Sequence, residues 1–123
     1  MAKESCETEL RNLLRQRIVI LDGAMGTTIR GYGLNEQAAR GARFAGSKKD
    51  LLNNGDILSL TQPDTIADIH KRFFEAGTDI ASTNTFSATS IAQSEFFVED
   101  PRENGKGRKD PDFFESIAAI GSL

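Results

Sequence analysis

The apolar and polar positions fall into two periods that alternate along the chain. Over residues 4 to 17, Leu10, Leu13 and Leu14 recur at helical spacing. Ser5 or Thr8 is placed to cap the start of that helix. Arg11, Arg15 and Arg17 put positive charge towards its C-terminal end, where the helix dipole favours cations. A second helix is predicted from Pro63 to Ala76, with Ile66, Ile69, Phe73 and Ala76 on one stripe. Thr61 stands at its cap, Pro63 and Asp64 fit its first turn, and Gly77 stops it. A third, over Ala88 to Phe97, is expected to turn Ile91 and Phe96 inward.

Between these helices the period changes. Ile18 to Leu21 is an unbroken, mostly β-branched run, the pattern of a strand buried on both faces. It ends at Asp22, and Gly23 and Gly26 then open a turn that backbone and ligand can share closely. Thr27 to Ile29 begin a short helix that Gly31 or Gly33 closes. Thr78 to Thr83 reads as a second strand, and Asn84 to Ser87 as the loop after it. Residues 34 to 56 read as irregular, with one helical turn around Glu36–Arg40, and Asp56 to Leu60 as a short extended piece.

Strand, loop, helix, strand, loop, helix is the rhythm of a parallel sheet, so the predicted fold class is α/β. The rhythm sets the Asp22–Gly26 loop beside the Thr83–Ser87 loop, at the strand ends where such folds build ligand sites. After Phe97 it stops. Residues 98 to 112 are charged and lack an apolar period, which predicts disorder or a loose loop, while Phe113, Phe114, Ile117 and Ile120 fit one short helix. The chain thus divides into an N-terminal helix (1–17), an α/β unit (18–97) and a polar tail (98–123).

Composition narrows the classes. A net charge of -3 leaves no footprint for nucleic acid, and no apolar run is long enough to span a membrane. The N-terminus lacks an apolar signal core, so a cytoplasmic location is expected. The single cysteine, Cys6, excludes an internal disulfide and a multi-cysteine zinc site within the chain. His70, the one histidine, has no acid or cysteine at ligand spacing and reads as a boundary residue of its helix.

Two stretches carry candidate chemistry. In Asp22-Gly23-Ala24-Met25-Gly26-Thr27, backbone N–H groups suit a carboxylate or phosphate and Asp22 suits an ammonium, although a plain strand-to-helix turn has the same spacing. No nucleotide fingerprint is present. Thr83-Asn84-Thr85 offers short polar side chains to a small ligand, or else merely caps the next helix with Ser87.

Leu21-Asp22-Gly23-Ala24-Met25-Gly26-Thr27, Asn54-Gly55-Asp56-Ile57-Leu58, Thr61-Gln62-Pro63-Asp64, Glu75-Ala76-Gly77-Thr78-Asp79-Ile80 and Thr83-Asn84-Thr85-Phe86 occur in that order. Together they resemble the start of the homocysteine-binding domain of the cobalamin-dependent methionine synthases, within the homocysteine S-methyltransferase family. Leu34-Asn35-Glu36 and Arg40-Gly41-x-Arg43-Phe44 point to that branch rather than to the betaine-dependent one. The likeness covers roughly residues 10 to 97.

The resemblance implies a zinc-dependent (β/α)8 TIM barrel that binds homocysteine and methylates its thiol from methylcobalamin. This chain would be an incomplete fragment holding the first two βα units. Asp22, Gly23, Ala24, Met25, Gly26 and Asn84 would line the homocysteine pocket. Ser82 stands where the family usually has a glutamate, which removes one carboxylate from the pocket. The family's zinc cysteines come from late barrel strands and Cys6 matches none, so no catalytic or metal residue is assigned. Zinc and cobalamin are cofactors of the full-length family, and neither is expected on this chain, which should be inactive alone. The alternative is a non-enzymatic interaction module, or a truncated isoform that associates through an open sheet edge. Neither nucleic acid nor membrane is an expected partner.

Overall fold

Ser5 caps the first helix: its side chain accepts the Thr8 N–H at 3.2 Å, and α1 runs Cys6–Gln16. The computed structural model describes residues 4–97; the expected tail and its Phe113–Ile120 helix lie outside the described residues. Five further α-helices follow among them: α2 (Met25–Gly31), α3 (Glu36–Arg40), α4 (Leu58–Thr61), α5 (Pro63–Glu75) and α6 (Ser90–Phe97). None of the described helices is long and apolar enough to cross a membrane.

The stripe predicted on α5 organises the larger core. Ile66 and Ile69 are buried there with Ala39 from α3 and Leu58 from α4. Met25 and Ile29 of α2, Tyr32, Leu34 and Phe73 pack around them. Each such aliphatic side chain contributes roughly 1.5–3 kcal/mol when fully buried. Gly77 closes the end of α5 with φ at +110°, as its position after the stripe predicts. A second cluster joins Phe44, Leu51, Ile57 and Phe97, with the rings of Phe44 and Phe97 centred 6.0 Å apart. Ile57 belongs to one cluster and its neighbour Leu58 to the other, so a single turn ties the two together.

That turn corrects one expectation. Asp56 to Leu60 is not extended: Gly55–Ile57 is a 3-10 turn that runs directly into α4. Over so few residues, alternation and helical period place apolar side chains at nearly the same positions. Thr61 is consequently the last residue of α4, and Gln62 precedes α5 without any side-chain cap.

The larger correction concerns the sheet. The described residues are predominantly helical and hold no sheet, so they are not the first two βα units of a (β/α)8 barrel. Leu21 and Ile80 make one isolated parallel bridge. Around it, Asp79 N and Ile80 N donate to the Ile20 carbonyl at 2.9 and 3.1 Å, and Asp22 N donates to the Ile80 carbonyl at 2.9 Å. A ladder grows only when strands have partners along their edges and cover on their faces. Here Ile18 is 86% exposed and Ile20 and Leu21 are more than half exposed, so the run has one short edge contact and no cover on its faces. On α6, Ile91 is likewise 86% exposed rather than inward; Gln93 and Phe97 take the buried positions, and Phe96 packs against the smaller cluster.

The segment between α3 and α4 is fastened by polar groups. Asn35 caps α3, accepting the Ala38 N–H at 2.8 Å. Glu36 accepts the N–H groups of Leu51 and Leu52 at 2.7 and 2.8 Å and also pairs with Arg40 at 2.7 Å. Arg40 in turn donates to the carbonyls of Ser47 and Lys49.

Candidate functional site: the Asp22–Gly26 turn

The turn after the Leu21 bridge is built around an unusual residue. Ala24 has φ 48° and ψ 36°, the left-handed region, immediately before α2. A Cβ there costs roughly 1–2 kcal/mol, so the surroundings must hold it. Part of that hold is Thr28, whose N–H and hydroxyl both donate to the Ala24 carbonyl, at 2.9 and 2.8 Å. Nothing lies within 4 Å of where a Cβ would stand on Gly23 or Gly26. The turn is therefore open, and its glycines are not packing against other parts of the chain. Met25 differs: its side chain lies against the α5 core and anchors the turn.

Asp22 is the enclosed member, its side chain only 6% exposed. Its Oδ1 accepts the Ser82 N–H at 3.0 Å, and its Oδ2 lies 3.7 Å from His70 Nδ1. That Nδ1 is buried and has no hydrogen-bond partner. A buried polar atom left unpaired costs roughly 1–3 kcal/mol. The sequence reads His70 as a surface or boundary residue beside the inward Ile69, which agrees with its 24% exposure, but spacing gives no hint of Asp22 beside it. Only the docking of α5 against the turn brings the two together.

Asn84 borders the same region from the other side of the chain. Its Nδ2 donates to the Gly55 carbonyl at 2.8 Å and to Ser59 Oγ at 3.1 Å. Gly55 lines a cleft of about 260 Å³ together with Gly26, Arg30, Leu34, Asn53 and Leu58. Gly26 thus shares a cleft with Gly55, whose carbonyl takes the Asn84 amide, while the Ser82 N–H links the second segment directly to Asp22.

Three buried polar residues support this arrangement, and the sequence reading gave them no role. Asp56 accepts the Ser87 N–H at 2.5 Å and is also bonded by the Phe86 N–H. Burial pushes its carboxyl up from the ordinary aspartate range, and those two N–H groups pull it back in part. Asn54 and Gln93 exchange amide hydrogen bonds of 2.8 and 3.3 Å, and Gln93 also donates to the Ser87 carbonyl at 2.9 Å. The loop from Asn84 to Ser87 is held at both ends, and Phe86 at its tip is 99% exposed. The available signal was polar residues set among apolar ones, Asn54 and Asp56 before Ile57-Leu58 and Gln93 before Phe96-Phe97.

The metal implied by the resemblance does not fit these residues. Among the described residues no group of three or more His, Cys, Asp or Glu side chains is arranged to hold an ion. Cys6 is exposed on α1. No step through zinc follows from them.

The arrangement sets an enclosed carboxylate, Asp22, beside an open glycine turn. Residues 19–106 match the family model described as homocysteine S-methyltransferase, a span that takes in Asp22–Gly26, His70 and Asn84. The chain belongs to that family.

Proposed function

We propose that the Asp22–Gly26 turn receives the amino-acid end of homocysteine. Asp22 takes the α-ammonium, and the open backbone of Gly23 to Gly26 faces the carboxylate. Asn84 closes the neighbouring edge through Gly55. The observation that carries this reading is Asp22: a carboxylate 6% exposed, with one oxygen fixed by Ser82 N–H, next to an unobstructed turn. Ser82 contributes its backbone N–H and no carboxylate, so a single acid addresses the ammonium.

Calorimetric titration of the full chain with reduced homocysteine tests it. Binding should weaken about tenfold or more in Asp22→Asn, the loss expected when a charged hydrogen bond is removed. Homoserine, which keeps the amino-acid end and lacks the sulfur, should compete. Failure of the unaltered chain to bind homocysteine would overturn the reading.

For the methyl donor we favour cobalamin, on the Leu34-Asn35-Glu36 and Arg40-Gly41-x-Arg43-Phe44 motifs. The proposed substrate turn has no zinc ligand set beside it among the described residues, so this chain alone should form no methionine from methylcobalamin and homocysteine. Turnover by the purified, zinc-supplemented chain would refute that. A thiol substrate accords with the reducing cytoplasm.

One observation favours a second reading, association without catalysis. Ile18, Ile20, Leu21 and Ile80 are all exposed around the one bridge among the described residues. Sedimentation should then show concentration-dependent dimers that Ile20→Lys abolishes; a monomer at all concentrations would exclude it.

A further inference from the structure

We propose that His70 is the positioning residue of this site. With its proton on Nδ1 it steadies the Asp22 carboxylate in the orientation that meets the substrate ammonium, an inference that rests on the reading of the Asp22–Gly26 turn given above. Nδ1 is sealed from solvent and unpartnered, and Asp22 Oδ2 stands 3.7 Å away. A shift of about half an ångström or a little more brings that pair to hydrogen-bond length. Asp22 Oδ1 is already fixed by Ser82 N–H, so a second bond at Oδ2 stops the carboxylate from turning.

The imidazole has a firm base. It follows Ile69, fully buried in the α5 core, and the other ionisable groups of α5 near it face elsewhere. Asp68 and Arg72 both engage the Tyr32 hydroxyl, and Lys71 reaches Glu75. A neutral imidazole carries one N–H, and its other nitrogen is an acceptor. An acceptor facing a carboxylate is repelled, so the proton belongs on the nitrogen that faces Asp22.

Nitrogen NMR of the full chain, with its one histidine labelled, reads the tautomer directly. Nδ1 should carry the proton, and Asp22→Asn should shift its resonance. Calorimetry with homocysteine reads the consequence. His70→Asn sets an amide nitrogen near the Nδ1 position and should bind within about threefold of the unaltered chain. His70→Leu and His70→Gln, which lack a donor there, should lose about tenfold, the value of a hydrogen bond to a charged group. Should the leucine variant fail to fold, the asparagine and glutamine variants carry the comparison.

Equal binding by His70→Asn and His70→Gln would overturn the positioning role and leave the homocysteine reading standing. An unaltered chain that binds no homocysteine removes that reading, and the spectrum then decides the His70–Asp22 couple alone. A proton on Nδ1 whose resonance moves in Asp22→Asn upholds the couple; a resonance indifferent to that change overturns it.

Discussion

Arg17 and Asp79 face each other as a two-pronged ion pair, Nη1 to Oδ2 at 2.6 Å and Nη2 to Oδ1 at 2.5 Å. Asp79 Oδ2 also accepts the Ile20 N–H at 2.9 Å. The pair joins the end of α1 to the residues after α5, and it flanks the only bridge among the described residues. The Arg17 guanidinium, then the Ile20 N–H, lower the Asp79 carboxyl from 3.8 to about 2.

A carboxyl lowered by folding stabilises the fold above its ordinary titration range, and that contribution disappears as pH falls through the folded value. Thermal stability should therefore drop between about pH 4 and pH 2, the interval between the ordinary and lowered values. Asp79→Asn should flatten that part of the melting-temperature profile. Because Arg17 is half exposed, added salt should weaken the effect. An unchanged acid limb in the variant would remove Asp79 as its source.

Asn54→Ala should destabilise the fold by roughly 1–3 kcal/mol, since the fully buried Gln93 Oε1 loses its donor while Nε2 keeps only the Ser87 carbonyl. Replacing both residues with apolar side chains should cost less than the two single changes added together. Denaturant unfolding of the two single variants and the double variant measures this coupling. Strict additivity would mean that the amide pair contributes nothing beyond its separate side chains.

Gly41→Ala meets two obstacles at one position. Gly41 has φ +58°, and an added Cβ would come within 3.3 Å of Thr61 Cβ. The backbone strain alone is worth roughly 1–2 kcal/mol. Gly33→Ala, also at positive φ but with open space around it, should lose only the strain. The difference between their urea midpoints isolates the contact with Thr61.

Helices α1 and α5 were legible because each carries its own signal, whereas α4, too short to show a period, reads as extended. Leu10, Leu13 and Leu14, the Ile66–Ile69 stripe, Ser5 and Gly77 all lie within the element they mark. The strands were not, because an apolar run such as Ile18–Leu21 specifies a wish for cover and not the cover itself. The site divides in the same way. Asp22, its glycines and Asn84 are consecutive or motif-borne, and the family match spans them. His70, Asp56 and the Asn54–Gln93 pair are joined only by tertiary contacts between distant segments, which no local spacing encodes.

The three bonds gathered by Glu36 have a kinetic meaning. Its carboxylate closes the chain from α3 to Leu52 as a latch rather than a covalent staple, with Arg40 as the second catch. Both N–H groups depend on one carboxylate, so its departure releases the two together. The amides of Leu51 and Leu52 should exchange with deuterium at one shared rate, and Glu36→Gln should quicken both together while the amides of α5 keep their own slower clock.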